Sequence, residues 1–271
     1  MNERPSILKK IFEVRRRRVE EAKAARSPEE LRSFRDIAFG IAAESAPSRF
    51  SDAVRRKDRV NIIAEFKRAS PSKGIINADA DPARKASEYA KAGAAAVSVL
   101  TEEDHFMGSI DDLDSVRWSV SLPILRKDFI FDPFQIYESR IIGADAVLLI
   151  AAMLDDGELA ELMEIVALLA LDALVEVHDK AELDRAEALG AKLIGVNNRD
   201  LNTFGVSLDH SRELIRFKPD GSLMISESGI SSPDEIEELR GLGFDGFLIG
   251  EALMNTEGDR MNNILSVLTD R

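Results

Sequence analysis

An alternation of strand and helix patterns begins near residue 60 and limits the folds that this chain can adopt. Short runs rich in β-branched residues alternate with longer segments rich in Ala, Glu and Arg. The predicted strands are residues 60–67, 96–100, 124–127, 146–150, 173–177, 193–197, 223–226 and 246–249. The clearest predicted helices are residues 82–92, 133–142, 156–169, 180–189 and 233–239. A strand followed by a helix, eight times over, requires parallel strands joined by right-handed crossovers.

A closed barrel accounts for this pattern better than an open sheet. No G-x-G-x-x-G motif follows the first strand, and the 271 residues suit a (β/α)₈ barrel of about 250. Helices are predicted to end at Gly93, Gly143, Gly190 and Gly241, because glycine adopts the left-handed conformation that closes a helix. We therefore predict an α/β fold, a (β/α)₈ TIM barrel over residues 60–271. An N-terminal helical extension over residues 1–59 completes the same structural domain.

The extension carries helical patterns throughout. Apolar residues recur near helical spacing from Ile7 to Val14, which predicts that the four arginines at residues 15–18 lie on or beside a solvated helix face. A polyanion-binding patch is the weaker interpretation, and the net charge of −13 argues against general nucleic-acid binding. Such an extension could cap the barrel or cover part of its mouth.

Several kinds of site and location are disfavoured by what the sequence lacks. There is no cysteine, and therefore no disulfide framework and no thiolate metal site. No apolar run approaches the roughly 20 residues of a membrane span, and the first ten residues lack the apolar centre of a secretory signal. We therefore expect a cytoplasmic protein without a membrane partner. His105, His178 and His210 show no metal-ligand spacing, so no metal is expected, and His178 is predicted at the rim of a site.

Polar residues near the ends of five predicted strands point to one site. Side chains alternate along a strand, and here the face opposite the apolar one carries polar groups at the carboxyl end. These residues are Glu65, Lys67, Lys127, Glu176, Asn197 and Glu227. Active sites of (β/α)₈ barrels lie at that end, and two lysines with three glutamates can divide into acid and base roles. The alternative is a structural salt-bridge network that fills the barrel.

A phosphate site is predicted at the last two strands. Ser228 and Gly229 follow the seventh strand, and Gly250 and Glu251 end the eighth, where such barrels commonly bind phosphate. Each glycine taken alone would more often mark a plain turn. Residues 69–74 form a polar loop after the first strand, which suits a lid or substrate clamp as well as it suits a flexible connector.

Seven sequence blocks resemble those of one enzyme family. They are Ile-Ala-Glu-Phe-Lys-Arg-Ala-Ser-Pro-Ser at residues 63–72, Ser-Val-Leu-Thr-Glu at 98–102 with Phe106 and Gly108-Ser109, Pro-Ile-Leu-Arg-Lys-Asp-Phe at 123–129, Leu-Val-Glu-Val at 174–177, Gly-Val-Asn-Asn-Arg-Asp-Leu at 195–201, Ser-Glu-Ser-Gly-Ile at 226–230, and Leu-Ile-Gly-Glu at 248–251. Over about residues 5 to 265 the chain is similar to the indole-3-glycerol phosphate synthase family, whose members also carry an N-terminal helical extension. The blocks at the first, third and sixth strands are the most specific.

The resemblance implies a carboxy-lyase of tryptophan biosynthesis that uses no cofactor. It would convert 1-(2-carboxyphenylamino)-1-deoxyribulose 5-phosphate to indole-3-glycerol phosphate, carbon dioxide and water. By the same resemblance, Lys127 matches the general acid of ring closure, Glu176 matches the general base of the later dehydration, and Lys67 matches a lysine that holds anionic groups. The remaining matches are Glu65 and Asn197 as positioning residues, Glu227 and Ser228 in the active site at the seventh strand, Gly229, Gly250 and Glu251 at the phosphate, Ser70 and Phe129 as substrate contacts with Phe129 against the aromatic ring, and the family-typical Arg199.

One departure and two rival interpretations accompany this resemblance. Asp104 and His105 stand where many members have Lys followed by an aromatic residue, which puts a charge contact from the second loop to the substrate in doubt. An isomerase of an aminodeoxyribulose phosphate would usually need an Asp/Cys pair, and this chain has no cysteine. A catalytically silent barrel would be expected to have lost some inward charges, and none is missing. We expect a monofunctional chain, monomeric or weakly homo-oligomeric, whose partner is a phosphorylated small molecule.

Overall fold

The barrel predicted from the sequence is confirmed. In the computed structural model, which describes residues 6–200 and 203–254, eight parallel strands form a closed sheet in chain order. The strands are β1 (Ile62–Phe66), β2 (Ala96–Leu100), β3 (Ile124–Lys127), β4 (Ala146–Ile150), β5 (Asp172–Val177), β6 (Leu193–Asn197), β7 (Leu223–Glu227) and β8 (Gly246–Ile249). Strand β8 pairs with β1, with Phe247 opposite Ile62, and this pairing closes the barrel.

Helices precede the barrel and connect its strands. They are α1 (Ser6–Ala24), α2 (Pro28–Ala43), α3 (Arg49–Val54), α4 (Pro82–Lys91), α5 (Glu103–Phe106), α6 (Ile110–Ser119), α7 (Pro133–Ile141), α8 (Asp156–Leu168), α9 (Lys180–Ala188), α10 (Asp209–Leu214), α11 (Pro233–Leu242) and α12 (Glu251–Met254). Side-chain caps fix where many of them begin: Asp132 caps α7 and Ser232 caps α11, each with a proline in the first turn. Because the caps follow the strands closely, they set the length of the loops at the barrel mouth.

Glycines close the helices largely as predicted. Gly93, Gly143 and Gly190 all have positive φ directly after a helix. The prediction that a helix ends at Gly241 is wrong, because α11 continues to Leu242 and ends at Gly243, whose φ is 117°. Gly243 and the residue after it donate backbone hydrogen bonds to carbonyls of the last turn, a closure that needs the left-handed residue at this position.

Helix α1 covers part of the carboxyl-end mouth of the barrel, as the sequence suggested an extension could. Arg15 on α1 is only 4 % exposed and forms ion pairs with Glu103 and with the buried Asp128, at the loops after β2 and β3. The prediction that the arginine run lies on a solvated face is therefore wrong for Arg15. Apolar spacing alone did not reveal acidic partners on the barrel loops, which draw this side chain inward.

The rest of the extension runs to the opposite end of the barrel. Helix α2 packs on α7, where the rings of Phe34 and Phe134 stack with centroids 5.2 Å apart. In α3, the backbone N–H and the hydroxyl of Ser51 both donate to Asp172 at the first residue of β5, and Phe50 beside it is fully buried. The extension thus contacts both ends of the barrel, and α3 covers the end away from the mouth.

The core lies between the strands and the surrounding helices, with a smaller layer inside the barrel. Nearly every residue of the eight strands is buried, as expected for a parallel sheet covered on both faces. No helix within the described ranges is long and apolar enough to cross a membrane. The first five residues of the predicted extension, residues 201–202, and residues 255–271 of the predicted barrel lie outside the described residues.

Candidate active site

One cavity of about 810 Å³ opens at the carboxyl ends of the strands. Every site residue predicted from the sequence lines it: Glu65, Lys67, Ser70, Lys127, Phe129, Glu176, Asn197, Arg199, Glu227, Ser228, Gly229, Gly250 and Glu251. The structure therefore brings together residues from six strand ends and the loops that follow them. Their individual roles stay predictions, which the geometry of the cavity constrains.

Lys127 is the centre of the charged cluster. As the last residue of β3 it points into the barrel, where its Nζ lies 3.1 Å from Glu176 Oε2 and 3.5 Å from Glu227 Oε2. The next residue on either side faces outward: Arg126 pairs with Glu138 of α7, and Asp128 pairs with Arg126. This outward network holds the end of β3 and so fixes the direction of Lys127.

The environment gives the three central groups different protonation behaviour. Burial alone would lower the pKa of Lys127, but the carboxylates of Glu176, Glu227 and Glu65 raise it above its ordinary value. Burial would raise the pKa of Glu176, yet the charge of Lys127 and then of His178 holds that pKa below its usual range. Burial raises the pKa of Glu227 to about 7, supported by the other glutamates and opposed by Lys127. One carboxylate is thus kept ionised, while its neighbour can hold a proton near neutral pH.

A second lysine and carboxylate pair stands beside the first. Lys67 Nζ lies 2.6 Å from Glu65 Oε1, and Asn197 helps to hold the pKa of Glu176 low. Glycines make room for these side chains: a Cβ at Gly195 would lie 2.0 Å from Glu227 Oε1, and one at Gly250 would lie 2.5 Å from Glu65 Oε1. The sequence block around β6 therefore contributes two features to the site: Gly195, which leaves room for Glu227, and the side chain of Asn197.

The predicted phosphate end of the cavity combines two left-handed residues with a neutralised carboxylate. Ser228 has a φ of 67° and Gly229 a φ of 82°, so the chain turns sharply after β7. Glu251, at the start of α12, lies 2.9 Å from Lys73 Nζ and 3.9 Å from Arg199 Nη2. These cations offset the charge of a carboxylate that would otherwise repel a phosphate.

The loop after β1 is an ordered element within the described chain. Residues Ala69–Ser70 pair antiparallel with Gly74–Ile75, and Ser70 is buried against the cavity. The interpretation of this segment as a flexible connector is therefore disfavoured. Lys73 at its tip is a cavity residue that the sequence analysis did not single out, because no pattern distinguishes it from other loop lysines.

The two residues of the second loop that depart from the family pattern, Asp104 and His105, lie beside the N-terminal extension. Asp104 accepts two hydrogen bonds from the guanidinium of Arg18 on α1, and His105 contacts Glu102. Neither Asp104 nor His105 lines the cavity. Among residues 6–200 and 203–254, no group of three or more metal-binding side chains is arranged to hold a metal ion.

Comparison with known proteins decides the family. A family model described as indole-3-glycerol phosphate synthase matches residues 8–267, which is nearly the whole chain. The chain belongs to the indole-3-glycerol phosphate synthase family. Among curated relatives, the indole-3-glycerol phosphate synthase of Carboxydothermus hydrogenoformans is 49% identical over 91% of this chain and 94% of its own length. That of Lachnoclostridium phytofermentans is 44% identical over 97% of this chain and the whole of its own length.

Solved structures support the fold at greater distance. The N-acetylmannosamine-6-phosphate 2-epimerase of Clostridium perfringens superposes with a TM-score of 0.58 and 16% identity, covering 71% of this chain and 87% of that one. At this identity the likeness concerns the fold alone. Activity therefore has to be inferred from the charged cluster at the ends of β3, β5 and β7 and not from the fold.

In this member of the indole-3-glycerol phosphate synthase family, the predicted contact residue Phe129 lies on an apolar side of the cavity, beside residues that the sequence analysis did not assign to the site. Phe129 faces Phe106 with ring centroids 6.0 Å apart. Ile11 of α1 and Leu148 and Ile150 of β4 complete this side. The spacing of Leu148 and Ile150 could have placed them inside the barrel, but aliphatic residues carry no chemical signature that separates a binding wall from a core.

Proposed function

We propose that this chain catalyses the indole-3-glycerol phosphate synthase reaction. It closes the ring of 1-(2-carboxyphenylamino)-1-deoxyribulose 5-phosphate and releases carbon dioxide and water. The observation that carries the proposal is the position of Lys127: a mostly buried ammonium group at the base of the open cavity, held between one carboxylate kept ionised and one that can be protonated near neutral pH. The choice of substrate in this proposal rests on family membership.

Ring closure is the step that Lys127 serves. The ring carbon that bears the carboxylate bonds to the ketone carbon, and negative charge develops on the ketone oxygen. An ammonium group within hydrogen-bond reach stabilises that charge and donates the proton that converts the oxygen to a hydroxyl. The raised pKa of Lys127 keeps the proton on nitrogen until the oxygen becomes basic enough to take it.

Decarboxylation and dehydration complete the reaction. Loss of carbon dioxide restores the aromatic ring, and departure of the new hydroxyl as water then requires an acid for the oxygen and a base for the remaining proton. Glu176 is proposed as the base, because its pKa is held low and it stays ionised. Lys67, paired with Glu65, is placed to assist as an acid or to hold the anionic groups of the substrate. No electrons are gained or lost overall, so the proposed reaction needs no redox cofactor.

The two ends of the cavity suit the two ends of the substrate. We propose that the phosphate lies at Ser228, Gly229 and Gly250, with Lys73 and Arg199 supplying positive charge. The benzoate ring would then lie between Phe106, Phe129 and Ile11. The deoxyribulose carbons between them fall beside Lys127 and Glu176, which is where the chemistry is required.

The remaining expectations belong to the same proposal. We propose a cytoplasmic protein that acts on a phosphorylated small molecule, without nucleic acid, as a monomer or weak homo-oligomer. Sedimentation of the purified chain at several concentrations tests the oligomeric state.

A continuous fluorescence assay with the carboxyphenylamino-deoxyribulose phosphate tests the proposed reaction. We expect indole fluorescence to rise without added metal or nucleotide. Tight binding without turnover in folded protein would favour a silent binding barrel. A lack of binding would contradict the proposed substrate.

A further inference from the structure

His178 links the candidate base Glu176 to helix α9. It follows β5 directly, and its ring is mostly buried behind the cavity wall. Its Nδ1 lies 3.2 Å from Glu182 Oε2, and the same oxygen accepts the backbone N–H of His178 at 2.8 Å. Glu182 is itself fixed in the first turn of α9, whose cap Asp179 accepts its backbone N–H. The ring is therefore held on one side by a rigid element.

The other side of the ring faces the candidate base. His178 Nε2 lies 3.4 Å from Glu176 Oε1, while the second oxygen of Glu176 lies 3.1 Å from Lys127 Nζ. Nε2 is buried and makes no hydrogen bond within the described chain. A buried ring nitrogen beside a carboxylate is favoured in the state in which it carries a hydrogen.

The charges around the ring support this protonation. Glu182 comes from α9, Glu176 from β5 and Glu227 from β7, and the nearest cation within the cluster, Lys127, lies beyond Glu176. Burial would lower the pKa of His178, but the bond to Glu182 and the charges of these glutamates raise it above its ordinary value. Because each ring nitrogen faces a carboxylate, only the imidazolium form can donate to both.

We propose that His178 is a positioning residue for Glu176. Held by Glu182 through Nδ1–H, the imidazolium presents Nε2–H to Glu176 Oε1 as an ion pair and leaves Oε2 directed at Lys127 and the substrate. The charge of the imidazolium also keeps Glu176 ionised beside two other glutamates. The catalytic meaning of this arrangement rests on the proposed function, whereas the arrangement itself does not.

Nuclear magnetic resonance titration of the imidazole signals tests the arrangement without any substrate. The chain has three histidines, so the signals can be assigned with single variants. We expect the pKa of His178 to lie above its ordinary value in the native chain. The same pKa should fall by about one unit in both Glu182→Gln and Glu176→Gln. Glu187→Gln, an exposed site on the same helix, is the matched control and should leave it unchanged. An ordinary pKa for His178 that Glu176→Gln does not move would overturn the proposal.

A pair of substitutions tests the positioning role in the reaction. His178→Gln can still present an amide N–H toward Glu176, whereas His178→Asn keeps only the reach toward Glu182. We expect kcat to fall about ten- to hundredfold in His178→Asn with little change in KM, and to be partly restored in His178→Gln. His210→Asn, outside the cavity, controls for loss of a histidine. If His178→Asn supports turnover as well as His178→Gln does, the role of His178 is only to hold Glu182 of α9, and the proposal fails. If the native chain shows no turnover, the proposed function fails while the titration still decides the pairing.

Discussion

At the scale of single residues, the cavity separates chemically identical groups by their surroundings. Glu176 and Glu227 both contact Lys127, yet the pKa of one is lowered and that of the other is raised to about 7. The difference arises because His178 faces Glu176, whereas Glu227 Oε1 is buried without a hydrogen-bond partner in the described chain and fits against Gly195. One residue type thus supplies both an ionised carboxylate, the proposed base, and a carboxyl group that can hold a proton near neutral pH.

Replacement of Lys127 tests the assignment of the general acid. In Lys127→Ala we expect kcat to fall by roughly 10²- to 10⁴-fold, because the developing oxyanion loses its proton donor, while KM changes by only a few fold. Steady-state kinetics with the fluorescent assay measures both. Lys91→Ala, an exposed position at the end of α4, is the control and should behave as the native chain. Near-native turnover in Lys127→Ala would remove Lys127 from the mechanism.

Replacement of Glu227 tests the cost of keeping a carboxyl group in this position. Its folded-state pKa is raised to about 7 from 4.5, so the folded state binds the proton more tightly and stability is lost as pH rises between those values. Glu227→Gln removes this loss, and we expect the variant to be more stable than the native chain at pH 8 by on the order of 2 kcal/mol. Denaturant unfolding at pH 5 and pH 8 measures the difference. Glu187→Gln is the exposed control, and an equal gain at both pH values would contradict the argument.

At the scale of elements, α1 holds the loops that carry the chemistry. Arg15 pairs with Asp128, which also binds Arg126, Thr101 and the backbone N–H of Phe129. This cluster therefore lies directly behind Lys127 and Phe129. Ile11, one turn earlier on α1, forms part of the cavity wall. The extension therefore shapes the site from outside the barrel.

Removal of the Arg15 side chain tests this attachment. Arg15→Ala leaves a buried carboxylate with one cation fewer, and we expect the free energy of unfolding to fall by about 2 kcal/mol. The pKa of Asp128 is held low by Arg15 and Arg126 against the effect of burial, so its contribution to stability exists above pH 3.8 and is lost below it. In Arg15→Ala that pKa rises, and acid unfolding should begin at a higher pH. Arg16→Ala, whose ion pair is exposed, is the matched control; equal losses in the two variants would contradict a specific role for Arg15.

The sequence predicted the elements far better than it predicted how the extension packs. Strand alternation placed Glu65, Glu176 and Glu227 in one cavity because the barrel geometry converts a period of two into an inward face. No comparable rule exists for α1, whose apolar spacing indicates that one face is buried but not what buries it. The inward turn of Arg15 depends on carboxylates more than 80 residues away in sequence. Such long-range pairing is visible only in the folded chain.

In the molecule as a whole, one end of the barrel holds the cavity and the other end holds contacts that stabilise the fold. The carboxyl ends of the strands hold the charged cluster and its cavity. At the other end, Arg49 and Ser51 of α3 bind Asp145 and Asp172, the residues at the starts of β4 and β5, around the buried Phe50. These contacts close the barrel without reaching the cavity, which is the division of stability and chemistry expected of the fold.

This division predicts that the end of the barrel away from the mouth can be destabilised without loss of catalytic activity. Phe50→Ala removes a fully buried ring, and we expect the free energy of unfolding to fall by about 3 to 5 kcal/mol. At temperatures where the variant remains folded, its kcat and KM should match those of the native chain, because no residue of α3 lines the cavity. Phe217→Ala, a 45 % exposed ring on the surface, should change stability by less than about 1 kcal/mol. Thermal unfolding and kinetics on the same samples measure both quantities. A drop in kcat of folded Phe50→Ala would mean that the two ends of the barrel are coupled through the strands. The extension would then influence the reaction through α3 as well as through α1.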